Sequence, residues 1–214
     1  MQGERWAGSW PSTEELRRIS EATLGSAPSE ESATRLLEFA RLLERWAARF
    51  NLVSAKSRGE VVERHVVDSL ALVELIEPAA SLGDLGSGAG FPGIPLAIVL
   101  PDMAITLIEP RRHRANFLRE AKRRLLLDNL SVDERSGDHG GGFPAIDVVT
   151  GRAVREDVLV AFAGRVLSDG GRLLLMTKAS TEPSRPHGFA VGRTREYRLG
   201  NEPHHVRELV RRFT

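Results

Sequence analysis

A chain of 214 residues with 41% hydrophobic content is long enough for one α/β domain with a helical extension and too short for a second full domain. With 30 Lys and Arg against 29 Asp and Glu the net charge is +1, so contact with nucleic acid has to come from a local patch rather than from the whole-molecule field. The absence of cysteine excludes disulfides, thiolate zinc sites, cysteine-ligated iron–sulfur clusters and a cysteine nucleophile, and with them radical methyl transfer and cytosine-C5 chemistry.

Residues 1–11 are polar, with Gly and Trp. Ser12-Thr13-Glu14-Glu15 then reads as a capping box that opens a short helix ended by Gly25. A second helix starts near Ser29, with Leu36, Phe39, Ala40, Leu43, Trp46, Ala47 and Phe50 at helical spacing. A third runs from Gly59 to Glu77 with the stripe Val62, Val66, Leu70 and Val73. From Leu82 onward short apolar runs alternate with helical segments: Leu82–Leu85, Pro95–Leu100, Ala104–Ile108, Arg111–Leu127, Leu130–Val132, Ile146–Thr150, Asp157–Leu167 and Arg172–Thr177. Such alternation predicts a Rossmann-like, mainly parallel sheet with helices on both faces, residues 1–78 forming a helical extension packed on a core domain of residues 79–214. Gly83 stands inside the first strand, where a branched apolar residue is normal. The tail is ambiguous: Arg193 to Leu199 reads as a strand, but Val206, Leu209, Val210 and Phe213 are spaced like one face of a helix. The longest apolar stretch, Ile94 to Leu100, contains a proline and is too short to span a bilayer, and no signal segment opens the chain, so a cytoplasmic protein without membrane contact is expected.

The most informative segment is Asp84-Leu85-Gly86-Ser87-Gly88-Ala89-Gly90-Phe91-Pro92-Gly93, at the carboxyl end of the first strand. Its glycines satisfy the G-x-G-x-x-G pattern, and Glu109 closes the next strand about 20 residues on, where a ribose-binding acid belongs. A carboxylate at the mouth of the loop, Asp84, repels a pyrophosphate and attracts the ammonium and sulfonium of S-adenosylmethionine. Pro92 removes an N–H that a phosphate would use. These residues favour S-adenosylmethionine over a nicotinamide cofactor. A ligand-free strand-to-helix turn is the bland alternative.

Several stretches together resemble one family. Trp46-Ala47-Ala48-Arg49-Phe50-Asn51-Leu52, Arg64-His65-Val66-Val67-Asp68-Ser69-Leu70, the loop through Gly93-Ile94-Pro95, the helix start Arg111–Arg119 and Gly151-Arg152-Ala153 are similar to the bacterial small-subunit rRNA guanine-N7 methyltransferases, the glucose-inhibited division protein B family. The resemblance covers about residues 30–178. It implies a methyltransferase that uses S-adenosylmethionine to modify guanine N7 in 16S ribosomal RNA, with the small ribosomal subunit or an assembly intermediate as partner and no metal. In the cofactor site it implies that Gly86 and Phe91 line the pocket, with Ser87, Gly88 and Gly90 in the same loop and Asp84 at its entrance. Glu109 meets the ribose, Ser136, Gly137 and Asp138 approach the adenine, and Arg152 contacts the ligand region. Where the family usually carries Arg-Ala-Glu-Glu this chain has Arg135-Ser136-Gly137-Asp138, leaving Asp138 as the side-chain acceptor there.

Guanine N7 carries a lone pair on the major-groove edge, so its methylation needs alignment and no base. No catalytic acid or base is therefore assigned. Because the product base is cationic, Arg152 and Lys178 are expected on O6 or phosphate oxygens as substrate orienters. The dense basic cluster Arg111, Arg112, His113, Arg114, Arg119, Lys122, Arg123 and Arg124 is the expected RNA contact, with Arg111, Arg112, Arg114, Lys122, Arg123 and Lys178 as the candidates, against the bland reading of a solvated helix face. His65, three residues from Asp68, is read either as a hydrogen-bonded pair with it or as a histidine linking the helical unit to the domain. Trp46 and Phe50 are expected in the core rather than as base-stacking platforms, and His204-His205 as a surface pair rather than a metal site. A monomer is expected. Other readings stay open: a methyltransferase of this fold on another substrate, a non-catalytic RNA-binding or ribosome-assembly protein, and a nicotinamide oxidoreductase, which Asp84 opposes.

Overall fold

The computed structural model describes residues 6–48, 50, 52–76, 79–137, 142–178 and 186–212. Helix α1 (Thr13–Leu24) begins where expected: Ser12 Oγ accepts from the Glu15 N–H at 3.1 Å and Glu15 Oε2 accepts from the Ser12 N–H at 2.7 Å. It ends at Gly25, whose φ of 71° is the left-handed cap a side chain resists. Helix α2 (Glu30–Ala47), capped by Ser29, buries Leu36, Phe39, Ala40 and Leu43 on one stripe.

The expected third helix is not continuous. Helix α3 (Arg58–Val61) widens into a π-helical stretch, Val62–Val67, and tightens again into α4 (Asp68–Leu70), before a separate turn α5 (Val73–Ile76). Ser69 Oγ donates back to the His65 carbonyl at 2.6 Å, and the Ala71 and Leu72 N–H groups bond only three residues back, which ends the helix before Val73. The widened stretch buries Val62, Val66 and Val67 while His65 and Asp68 face a crevice described below.

The sheet has seven strands in the order β3-β2-β1-β4-β5-β7-β6: β1 (Ser81–Leu85), β2 (Ala104–Ile108), β3 (Leu130–Asp133), β4 (Ile146–Gly151), β5 (Leu167–Lys178), β6 (Phe189–Leu199) and β7 (Glu202–Arg211). Strands β3, β2, β1, β4 and β5 are parallel, and β7 is antiparallel to both β5 and β6. Helices α6 (Gly93–Val99), α7 (Arg112–Arg124) and α8 (Glu156–Val166) make the crossovers. Alternate strand residues bury on opposite faces: Leu82, Val148 and Leu174 pack with α2, α6 and α7, whereas Leu85, Val149 and Leu173 pack with α8. Gly83 has a packing reason, since a Cβ there would stand 3.0 Å from Ile146 Cδ1.

The tail is a β-hairpin. Val206 belongs to one core and Leu209 to the other, so their spacing of three places them on opposite sides of a strand buried on both faces; the helical periodicity is coincidental. Arginines from this half hold the helical unit. Arg195 donates to the carbonyls of Ala71 (3.1 Å) and Leu24 (2.6 Å), and Arg172 to that of Leu75 (2.7 Å), satisfying carbonyls at helix ends. Among the described residues no helix is long and apolar enough to cross a membrane.

Candidate active site at the carboxyl edge of the sheet

From β1 the chain moves outward to β2 and β3, then crosses back to β4 on the other side of β1, which makes β1 and β4 the switch point where an open α/β sheet leaves a crevice. Asp84 sits opposite Thr150 there. The loop that follows turns through Gly86 (φ 69°), Gly88 (φ 56°) and Gly90 (φ 88°), positions that resist a side chain. A Cβ on Gly86 would lie 2.7 Å from Val154 Cγ2. Ser87 Oγ donates to the Asp84 carbonyl at 2.8 Å and pins the turn.

Asp84 is not at the mouth of the loop, as its place in the sequence suggested, but fully buried beneath it. Its Oδ2 accepts from the Gly93 N–H at 3.1 Å, and its Oδ1 is buried with no hydrogen-bond partner. Burial pushes the carboxyl up to about 7, against the pull of the Gly93 N–H. Arg152 acts on the same carboxyl from a distance and lowers it, so Asp84 is a buried acid poised between its neutral and ionised forms. Glu109 is also buried; its Oε2 accepts from the Gly88 N–H at 3.0 Å and its Oε1 from the Arg111 N–H at 2.9 Å. It therefore shapes the loop as well as facing it. After β3, Gly137 packs under the end of β1, where a Cβ would meet Leu85 Cδ1 at 2.7 Å, and Ser136 precedes it. Asp138 lies outside the described residues. The structure thus gathers Asp84, Gly86, Ser87, Gly88, Gly90, Phe91, Glu109, Ser136 and Gly137 along the carboxyl ends of β1, β2 and β3.

Next to the loop lies a crevice of about 480 Å³ whose walls include His65, Asp68, Arg152, Lys178, Glu202 and His204. Asp68 is its hub. Tyr197 Oη donates to Asp68 Oδ1 at 2.6 Å, Arg152 Nη1 donates to Oδ2 at 3.3 Å, and His204 Nδ1 stands 3.8 Å from Oδ1. Arg152 also donates to the Arg64 carbonyl at 3.2 Å and lies over the Phe91 ring at 4.9 Å. It bridges the loop to the helical unit. Lys178, at the exposed end of β5, donates to Glu202 Oε2 at 2.8 Å. Of the two readings of His65, the pair with Asp68 does not form, because Asp68 is taken by Tyr197 and Arg152. His65 instead packs on Phe91 at 5.3 Å, so it links the helical unit to the loop. Burial and the neighbouring Arg152 push the imidazole down to about 4, which keeps it neutral. His204 is half-buried in the crevice rather than a surface residue, because the register sets it opposite Lys178. Among the described residues there is no His, Asp and Glu grouping that could hold a metal ion.

The basic cluster divides. Arg111 and Arg112 are exposed and their guanidinium groups form no ion pair among the described residues. Arg114, expected among the RNA contacts, turns inward instead, its Nη1 3.9 Å from Glu109 Oε2. Arg119 pairs with Glu134 at 2.7 Å, and Arg123 and Arg124 both pair with Glu120, at 2.9 and 2.5 Å. Lys122 is half-buried in the last turn. Phe50, expected in the core, is 39% exposed, while Trp46 is partly buried. The Asp68, Tyr197 and His204 constellation is invisible in the sequence, since no local spacing relates residues from the helical unit and the closing hairpin. The one signal that points to it is the Arg-His-x-x-Asp-Ser segment itself.

The family model described as rRNA small subunit methyltransferase G matches residues 32–185. A ribosomal RNA small subunit methyltransferase G from Xanthomonas axonopodis pv. citri is 42% identical over 166 residues, covering 75% of this chain and 77% of its own length. Relatives of the same name from Aromatoleum aromaticum (38% identical, covering 72% and 76%) and Neisseria gonorrhoeae (37%, covering 73% and 76%) are similar across the same extent. Among solved structures, TrmN from Thermus thermophilus superposes with a TM-score of 0.58 at 21% identity, covering 80% of this chain and 53% of that one. A SAM-dependent methyltransferase from Aquifex aeolicus superposes with a TM-score of 0.54 at 17% identity, covering 71% and 93%. The fold is the Rossmann-like one of S-adenosylmethionine-dependent methyltransferases.

Proposed function

Because the chain belongs to the rRNA small subunit methyltransferase G family, we propose that it transfers a methyl group from S-adenosylmethionine to N7 of a guanine in 16S ribosomal RNA. The observation that carries this reading is the junction at the switch point of a glycine loop over a buried, half-answered carboxylate and a crevice walled by Arg152, Lys178 and His204. The acceptor is a small ribosomal subunit or an assembly intermediate met in the cytoplasm by a monomeric, metal-free enzyme. Residues 1–78 act as the helical wall of the acceptor crevice and residues 79–214 as the methyltransferase domain.

The residues present fit the cofactor. Asp84 Oδ1 makes no hydrogen bond within the described residues, and the bare Gly86, Gly88 and Gly90 leave backbone open to close approach. When bound, S-adenosylmethionine supplies an electrophilic methyl group on a sulfonium. Asp84 would balance its cationic end, Glu109 would accept from ribose hydroxyls, Phe91 with Ser87 would line the pocket, and Ser136, Gly137 and Asp138 would border the adenine. Arg152 is held between Phe91 and Asp68, so it marks the wall shared by the cofactor and acceptor sides.

On the acceptor side the chemistry asks for alignment alone, because N7 already carries its lone pair. Asp68 offsets the charge of Arg152 beside a base that becomes cationic. A neutral His65 adds no charge against that change. Arg152 and Lys178 then serve O6 or phosphate oxygens.

The test is transfer of labelled methyl from S-adenosylmethionine to small ribosomal subunits that lack the modification, followed by nucleoside mass spectrometry. New 7-methylguanosine is expected. Verified cofactor binding without incorporation would move the activity to another acceptor.

A further inference from the structure

Phe50 is the one aromatic residue among the large hydrophobic side chains exposed in the described structure, and it is not loose. Its ring lies 5.9 Å from that of His113 with 27° between the planes. Behind it stands Trp46 at 5.8 Å, which in turn rests on Phe117, a core residue, at 5.5 Å. An aromatic column therefore runs from the core to the surface and ends in an exposed, nearly parallel pair, the form in which flat π surfaces accept another flat ring.

Charge around this pair is arranged against local helix stability. Arg111 caps α7, Arg112 and His113 open its first turn, and that turn holds no acid, although the amino end of a helix favours negative charge. Further along the same helix Arg119, Arg123 and Arg124 are neutralised by Glu134 and Glu120, while the guanidinium groups of Arg111 and Arg112 have no carboxylate among the described residues. Unpaired cations beside an exposed aromatic pair match a nucleic-acid strand, whose bases stack and whose phosphates take the charge. The position suits this. Helix α7 begins at the carboxyl edge of β2, and Leu52 and Val53, just beyond Phe50, line the acceptor crevice.

We propose that the Phe50–His113 pair, edged by Arg111 and Arg112, is a docking platform on which an unpaired base of the RNA substrate stacks outside the acceptor crevice. This rests on the reading of the protein as an RNA methyltransferase. The platform holds the strand by a ring contact that tolerates any base, while the arginines hold the neighbouring phosphates.

The test uses the full chain and unmodified small ribosomal subunits, with both binding and methyl transfer measured at saturating S-adenosylmethionine. Phe50→Ala should raise KM and Kd for the subunit roughly tenfold or more, with kcat and cofactor affinity unchanged. Phe50→Trp should restore both, and the salt dependence of binding should be the same in all, because no phosphate contact is altered. Parental KM in Phe50→Ala overturns the platform while leaving the enzyme's function intact. Equal impairment of the Ala and Trp variants, or a matching loss of cofactor affinity, also overturns it by showing a packing role. If the parent neither binds nor methylates the subunit, the functional reading falls and the platform with it.

Discussion

The Tyr197 hydroxyl donates to Asp68 Oδ1 at 2.6 Å, joining β6 to the helical unit across 129 positions of sequence. The bond sits in the crevice wall, with Arg152 on the other carboxylate oxygen. It also holds the phenol proton firmly, since burial and the Asp68 charge both raise the Tyr197 pKa. Tyr197→Phe removes the donor and leaves a buried carboxylate oxygen short of a partner. A loss of about 1–2 kcal/mol in urea unfolding is expected. Retained stability together with parental kcat/KM would show that the bond carries neither the wall nor the site.

If Asp84 balances the cofactor's charge as proposed, cofactor affinity should depend on pH. Its carboxyl titrates near 7 in the folded chain because it is buried, and only the ionised form balances a cation. Affinity for S-adenosylmethionine should therefore strengthen as pH rises through about 7, and Asp84→Asn should be weaker and flat with pH. The Asn variant is the informative one, because its amide oxygen can still accept from Gly93, whereas Ala removes that support. In the free protein the sign is the reverse. The folded pKa lies above the ordinary value of 3.8, so the folded state holds the extra proton between the two. The contribution to stability is full below about pH 4 and is lost as pH rises through about 7. A titration of affinity by calorimetry with no inflection in either protein would remove Asp84 from the cofactor's charge balance.

Two glycines should respond oppositely to alanine. At Gly151 a Cβ would stand 2.6 Å from the Leu85 carbonyl oxygen and 2.8 Å from Leu159 Cδ2, and backbone cannot step aside cheaply. Gly151→Ala should cost about 3 kcal/mol and weaken cofactor binding, because the shift falls on the ends of β1 and β4. At Gly164, inside α8, nothing lies within 4 Å, so Gly164→Ala should stabilise by about 0.5–1 kcal/mol. Thermal unfolding of both variants checks the pair.

The arginines of α7 should separate by function. Arg111→Ala with Arg112→Ala should weaken subunit binding and flatten its salt dependence, a loss of slope of about 0.7–0.9 per phosphate contact. Arg114→Ala, by contrast, should leave the salt slope alone and weaken S-adenosylmethionine binding, because Arg114 faces Glu109 and the Gly88 turn. Identical slopes in the double variant and the parent would take the helix start out of the RNA path.

Features that depend on neighbours in the chain are legible in the amino-acid sequence. The Ser12 and Gly25 caps, the alternation of β1 to β5 with their helices, and the glycine loop with Glu109 after the next strand all follow from local hydrogen bonding, periodicity and backbone freedom. What those rules leave out is what comes to face what. The spacing of Val206 and Leu209 suits a helix face and a strand buried on both sides equally well, and pairing with β5 decided between them. The place of Asp84 beneath the loop, the inward turn of Arg114, the outward stack of Phe50 on His113 and the junction of Asp68 with Tyr197, Arg152 and His204 were settled by packing alone. Sequence by itself determined the helix caps, the alternation of β1 to β5 with their helices and the glycine turn after β1, because these are short-range properties of the chain. Only the tertiary structure decided which charged groups answer one another, because burial and pairing depend on segments that meet nowhere but in the fold.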